Sequence, residues 1–261
     1  MKVYVLNRPN IDEKEVDRFL GDTGIDWKSS VGSAAEVLCE VAGRICYMSF
    51  AKPRPGGLTA YLQHIKESGH GSVLEHAAWS FLITGVSRSL THELVRHRAG
   101  FAFSQLSQRY VDESDAEFVE PDIVKDDPEL HAVWSEAMQK AREAYVRLSE
   151  LLEKKLQYRS FSQRWLPRDA TLTEKRKVAR QAARSVLPNA TETKIVVTAN
   201  ARAWRHFLEQ RGSRHADYEM RKLANRIFDI LLREAPYLFG DYRRVILDDG
   251  TYEIVTDYRK V

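Results

Sequence analysis

Residues 2–6 alternate in polarity, with Val3 and Val5 on one side, which predicts a short first strand. Ser33 reads as the N-cap of a helix running to about Tyr47, with Val37, Val41 and Ile45 on its apolar side. Pro53, Pro55, Gly56 and Gly57 then break the chain, and a helix resumes over residues 58–68. Residues 77–84 have the β-branched and aromatic content of a strand, and residues 87–97 suit a helix with Leu90 and Leu94 inward. After an acidic stretch over residues 112–127, Pro128 opens a long helix. Its Leu130, Val133, Ala137, Ala141, Ala144, Leu148 and Leu151 recur at helical spacing and read as a core stripe. Residues 157–172, with Arg159, Arg164, Trp165 and Arg168, read as an exposed basic insertion. Thr173 is expected to cap a helix that carries ARSVLP and ends at Pro188, and residues 193–198 form the next strand. The helix begun by NARAWRHFLEQR sets Arg202, His206 and Gln210 along one polar stripe, with Trp204, Phe207 and Leu208 on the packed side. Residues 216–234 form another amphipathic helix, and Asp248, Asp249 and Gly250 read as a hairpin turn.

Composition narrows the chemistry. Forty basic against 37 acidic side chains leave a formal charge of +3, too small to demand a polyanionic partner, so any anion site must be local. No apolar run approaches a membrane span and MKVYVLNRPN lacks a signal-peptide core, so neither membrane nor export is expected. Cys39 and Cys46 fall seven apart in a helical pattern, about 10 Å along the axis, too far for a disulfide. A reducing, cytoplasmic setting is expected. At 261 residues the chain suits one domain, or a domain with a long insertion.

The most informative stretch is RHRAGFAFSQLSQRY, residues 96–110. Arg96, His97, Arg98 and Arg109 share it with two serines, two glutamines and the aromatic Phe101, Phe103 and Tyr110, and no acidic residue lies inside it. Arginine forks suit phosphate oxygens, and Ser and Gln complete such sites or read a planar base, so the run predicts an anionic, aromatic ligand such as a nucleotide. The competing reading is a solvated basic face or a nonspecific nucleic-acid patch. A zinc site built on His92, Glu93 and His97 is disfavoured, because histidines five apart are rotated roughly 140° around a helix. No GxGxxG follows a strand and no GxxxxGK[ST] occurs, so neither a Rossmann site nor a P-loop is indicated.

Arg-His-Arg followed by AGFAFSQL and then Ser107 resembles the signature of flavin-dependent thymidylate synthases, in which seven or eight residues separate the basic triplet from a serine. The continuation from Ser107 to Tyr110 is similar as well. So are AGRICY, the His70, Ser72, Glu75 and His76 positions, Arg184 with Pro188, Asn200-Ala-Arg202 and Arg211. The resemblance covers residues 2–242. It implies an α/β (α+β) fold with a mixed or antiparallel sheet and long helices, not Rossmann. It also implies one domain over residues 1–261, with the 157–172 insertion and a C-terminal hairpin extension, assembled as a homotetramer with shared flavin sites.

The implied reaction makes dTMP from dUMP, with 5,10-methylenetetrahydrofolate as methylene donor and NADPH-reduced FAD as hydride source. By matching positions, Ser72, Arg96, His97, Arg98, Gln105, Asn200, Arg202 and His206 are expected at FAD. Glu93, Leu94, Val95, Arg96, Gln105, Leu106, Ser107, Gln108, Arg109, Arg184 and Arg211 are expected at dUMP. Glu93 stands where some relatives have Gln, and His206 where some have Asn. Arg211 is the expected catalytic residue, favouring loss of the uracil N3 proton so that electron density moves toward C5. Ser107 reads as a phosphate contact, since a serine nucleophile needs a base within reach. Both cysteines fall in an apolar helix pattern, which argues against the cysteine chemistry of the other thymidylate synthase class. No metal is expected, and no nucleic-acid partner.

Overall fold

A computed structural model describes residues 1–51, 55–259 and 261, so Pro53, one of the expected chain breakers, lies outside the described residues. The elements run β1 (Lys2–Asn7), α1 (Glu13–Asp22), α2 (Ala34–Tyr47), α3 (Gly57–Glu67), β2 (Ala78–Ser87), α4 (Arg88–Leu94) and β3 (Phe101–Gln105). They continue as α5 (Asp122–Lys125), α6 (Pro128–Lys155), α7 (Arg159–Ser162), α8 (Leu172–Ala183), β4 (Glu192–Asn200), α9 (Ala201–Arg211), α10 (Tyr218–Glu234), α11 (Pro236–Phe239), β5 (Arg243–Ile246) and β6 (Tyr252–Val255). Short 3-10 turns at Ser49–Ala51, Gly71–His76 and Arg184–Val186 complete the chain. Four strands form one sheet in the order β1-β2-β4-β3. Ser80 meets Thr198 and Gly85 meets Glu192, so β2 and β4 run antiparallel. The result is the expected α/β class of long helices with an antiparallel sheet and no Rossmann crossover.

By contacts the chain divides into two compact units. The first comprises Met1–Ile83, Val95–Phe103 and Val196–Val261. Its core comes from the inward alternation of β2, where Trp79, Phe81 and Ile83 are buried, and from Trp204, Phe207 and Leu208 of α9. Phe81 packs on Trp204 with ring centroids 5.1 Å apart, and Trp79 meets Phe239 edge-on at 5.9 Å. Each such side chain contributes about 1.5–3 kcal/mol by leaving water. Ser33 caps α2, as its sequence predicts, and the structure adds a full capping box with Glu36. The buried side of α2 differs from the expected one, however. Ile45 is exposed, whereas Glu36, Cys39, Glu40, Val41 and Arg44 are buried. Arg44 and Glu40 are each 2% exposed and pair at 2.7 Å, so two charges at i,i+4 satisfy each other where an apolar stripe was expected. Cys46 is exposed, off the apolar face expected for it, while Cys39 is buried. At the other end of the chain, β5 and β6 pair antiparallel around the Asp248–Gly250 turn.

The second unit comprises Thr84–Leu94 and Ser104–Ile195. Asp127 caps α6 with Pro128 in the first turn, again as the sequence predicts. The expected core stripe of α6 is not one. Tyr145 is the buried residue of this helix among those described, and Leu130, Val133 and Leu151 are 48%, 67% and 45% exposed. The cap of α8 is Thr171, two residues before the expected Thr173, because Glu174 stands three residues after Thr171 and completes its capping box. That helix closes at Ala183 and passes into the 3-10 turn at Arg184–Val186, short of Pro188. Residues 157–172 are largely exposed, broken by the single short turn of α7.

Candidate active site

Helix α9 organises the site residues of the first unit. Asn200 ends β4 and caps α9, its Oδ1 accepting the Ala203 amide at 2.9 Å. The expected polar stripe of α9 is present, split between two cavities. Arg202, with Ser72, Cys46, Tyr47 and His70, lines a cavity of about 310 Å³. The guanidinium of Arg202 pairs with Glu75 at 2.7 Å. One turn further along α9, His206, Gln210 and Arg211 join Arg96, His97 and Arg98 around a second cavity of about 340 Å³. No carboxylate is among the described residues lining either cavity.

The helix expected over residues 87–97 stops before the Arg-His-Arg triplet. Helix α4 ends at Leu94, and residues 95–100 form turns leading into β3, a strand missing from the sequence reading. Gly100 in this turn has φ +76°, and a Cβ there would stand 2.9 Å from Ala203 Cβ and 3.0 Å from Asn200 Nδ2. Only a residue without a side chain fits against the start of α9 in that conformation. The turn leaves Arg96 and Arg98 exposed and His97 buried between them. Phe101, Phe207 and His206 surround the imidazole, with ring centroids 5.4–5.9 Å away. Arg211 Nε donates to His97 Nε2 at 2.9 Å. Burial first, then the positive field of Arg211 and of His206, pushes His97 down to about 4. The triplet therefore carries two permanent charges flanking a neutral ring. Phe101 and Phe103 stack on each other at 5.6 Å, so these aromatics pack within the protein.

The second unit holds most of the residues expected at the nucleotide. Glu93 and Leu94 close α4, and Leu94 is fully buried, while Val95 follows in the first unit. Gln105 ends β3 and donates from Nε2 to Thr91 Oγ1 at 2.9 Å and to Thr193 Oγ1 at 3.3 Å. Leu106 donates its amide to the Lys194 carbonyl, which fixes the exit of the strand. Ser107 Oγ accepts the Arg109 amide at 3.4 Å, and no imidazole or carboxylate bonds it among the described residues. Gln108 is 6% exposed with Nε2 unpartnered, and Arg109 Nε is buried without a partner too. Buried donors of this kind normally find acceptors, so their vacancy suits an anionic ligand with oxygens to offer.

Around them lie groups that the sequence reading missed. Lys177 hydrogen-bonds the Tyr110 phenol and holds it below its ordinary range. Arg88 has a buried, unpartnered terminal nitrogen, and its charge faces Glu113 and Arg184. Burial pushes the Glu113 carboxyl up against the opposing pull of Arg88. Lys177 stands seven residues before Arg184, two helical turns, which is the one signal that could have drawn it in. Among the described residues no group of three metal-ligating side chains occurs, and His92 and His97 are not on one helix.

Comparison with known proteins bears on this arrangement. Residues 30–237 match the family model Thy1, described as thymidylate synthase complementing protein. A flavin-dependent thymidylate synthase of Mycolicibacterium gilvum is 50% identical over 240 residues, 91% of each chain. That of Mycobacteroides abscessus is 52% identical over 235 residues, 89% of each, and that of Corynebacterium diphtheriae 45% identical over 247 residues, 92% of this chain and 94% of its own.

Proposed function

Because this chain belongs to the flavin-dependent thymidylate synthase family, we propose that its site residues convert dUMP to dTMP using FAD, NADPH and 5,10-methylenetetrahydrofolate. The observation that carries this reading is the Arg211–His97 hydrogen bond beside a cavity lined by arginines, with no carboxylate among the described residues lining it. The donor set fits a flavin dinucleotide. Arg96 and Arg98 supply charge for its diphosphate, Ser72 and Arg202 add donors, and the rings of neutral His97 and of His206 offer nitrogens for hydrogen bonds. The chemistry the bound flavin supplies is hydride delivery to the methylene-bearing nucleotide after reduction by NADPH.

The protein's own part is to bind and polarise. Arg109, Gln108, Ser107 and Arg184 hold the phosphate and sugar of dUMP, with Gln105, Leu106, Glu93, Leu94, Val95 and Arg96 completing the nucleotide contacts. Arg211, oriented by its bond to His97, faces the uracil. A guanidinium there stabilises charge developing at N3 and O4 as the N3 proton leaves, which makes C5 the nucleophile toward the folate methylene. Cys39 stays outside the chemistry, since burial pushes its thiol up to about 12.

A cytoplasmic homotetramer with sites shared between subunits completes the proposal, and multi-angle light scattering tests its assembly state. Among the described residues no helix is long and apolar enough to cross a membrane. The central experiment is a visible spectrum of the purified protein followed by an assay of dTMP formation. A flavin band and NADPH-dependent product are expected. A colourless protein that takes up no FAD overturns the reading.

A further inference from the structure

The face of α9 turned away from the cavities carries Arg205, which is fully buried. Its guanidinium holds Asp241 through two bonds, 2.7 Å to Oδ1 and 2.9 Å to Oδ2. It also donates to the carbonyls of Leu238 at 2.7 Å and Tyr258 at 3.1 Å. Asp241 accepts a third charge-assisted bond from Lys66 of α3 at 3.0 Å and a fourth from Thr256 Oγ1 at 2.6 Å. Tyr242 closes the group, donating its hydroxyl toward the Arg205 carbonyl at 3.2 Å and Glu209 at 3.1 Å, with its ring 4.6 Å from the Arg205 guanidinium. Every residue that contacts the Arg205 guanidinium here lies at 238–258, beyond the 30–237 span of the family match.

A buried guanidinium whose two terminal nitrogens make four bonds, with Nε alone unpartnered, leaves α9 little freedom to rotate or slide. Rotation is what the site could not tolerate, because Arg202, His206 and Arg211 lie on one helix and address two different cavities. A turn of α9 by one side-chain position would break the Arg211–His97 bond and swing Arg202 from Ser72 together. Surface segments do not ordinarily bury two cations on one carboxylate, since the desolvation is costly and packed apolar groups would serve stability as well. We infer that Asp241 is a positioning residue: by gripping Arg205 from behind, residues 238–258 set the rotation of α9 and with it the flavin-facing side chains. The inference rests on the flavin reading of those cavities.

The test is FAD affinity of Asp241→Asn, measured well below its unfolding temperature, alongside the absorption maximum of the bound flavin. The FAD dissociation constant should rise about tenfold, the scale at which a small misplacement is felt, and the flavin band should shift. A purely structural role would lower the melting temperature and leave FAD affinity and spectrum as in the unaltered protein, and that result overturns the inference. If Asp241→Asn does not fold, Thr256→Val removes one bond to the same carboxylate and should raise the FAD constant about threefold. A folded Thr256→Val protein with unchanged FAD affinity and band also overturns it. Failure of the unaltered protein to bind FAD at all would count against the functional reading instead.

Discussion

Arg211 and His97 are joined by a hydrogen bond in which the imidazole must be the acceptor. A guanidinium has only donors, so a protonated His97 would face it with a second N–H and a like charge. The central residue of the Arg-His-Arg signature is thus a neutral acceptor for Arg211, and the permanent charges of the triplet sit on Arg96 and Arg98.

That relationship sets a pH dependence. His97 has a folded pKa depressed to about 4 from 6.5, so between those values the unfolded chain binds more protons than the folded one. Stability from this residue is complete above pH 6.5, declines as pH falls and is gone near pH 4. The depression corresponds to at most about 3 kcal/mol. Urea midpoints taken at pH 7.5, 6 and 5 should fall in that order, and His97→Asn should flatten the series.

Arg211→Ala should lose about 2–4 kcal/mol of transition-state stabilisation, the range for one preorganised donor. Arg211→Lys should rescue poorly, because an ammonium lacks the planar fork whose Nε holds His97. Single-turnover kinetics at saturating dUMP should show flavin reduction by NADPH less affected than reoxidation by the folate–nucleotide pair. Normal reoxidation in the Ala variant would take Arg211 out of the chemistry.

Arg98 stands exposed on a turn, so Arg98→Ala should change folding stability by no more than about 0.5 kcal/mol. Its FAD affinity should nevertheless fall about tenfold, the loss of one charge-assisted contact. Thermal unfolding and flavin content measured on the same preparation separate the two effects.

Ser107→Ala should keep measurable dTMP synthesis and weaken dUMP binding, since the hydroxyl meets a backbone amide and no base. Replacing Cys39 and Cys46 together by Ala should leave the reaction intact and cost about 1–2 kcal/mol of stability, nearly all of it at buried Cys39. Mass spectrometry of trapped turnover mixtures would expose a covalent nucleotide on any of the three.

Local signals read from the sequence fared best where a few adjacent residues decide the outcome. The Ser33 N-cap, the Pro128 helix start, the Asn200–Arg211 helix and the Asp248–Gly250 turn are of this kind. The α6 stripe misled because periodicity reports that one face is apolar and says nothing of what lies against it. The Arg-His-Arg stretch misled differently. Alternation of Phe101, Phe103 and Gln105 is a strand pattern, but the same aromatics also suit a ligand platform, and the helical run before Leu94 gave no sign of stopping. Arg205 was invisible because its partners, Asp241 and the Leu238 and Tyr258 carbonyls, stand more than thirty positions away. At the site, the residues carried by the family signature could be named from the sequence, whereas Lys177, Arg88 and Glu113 needed the fold to bring them together.

Gly100 ties two distant words of the sequence to one another. Its bare α-carbon is the clearance between the Arg-His-Arg turn and the first turn of α9, where Asn200 and Ala203 already fill the space. A library randomised at positions 100, 200 and 203 together should therefore not behave as three independent alphabets. Position 100 should return glycine almost alone, and enlarging Ala203 should be tolerated only at the expense of the catalytic turn. The mutational freedom of this enzyme is bounded there by a gap the width of one methyl group.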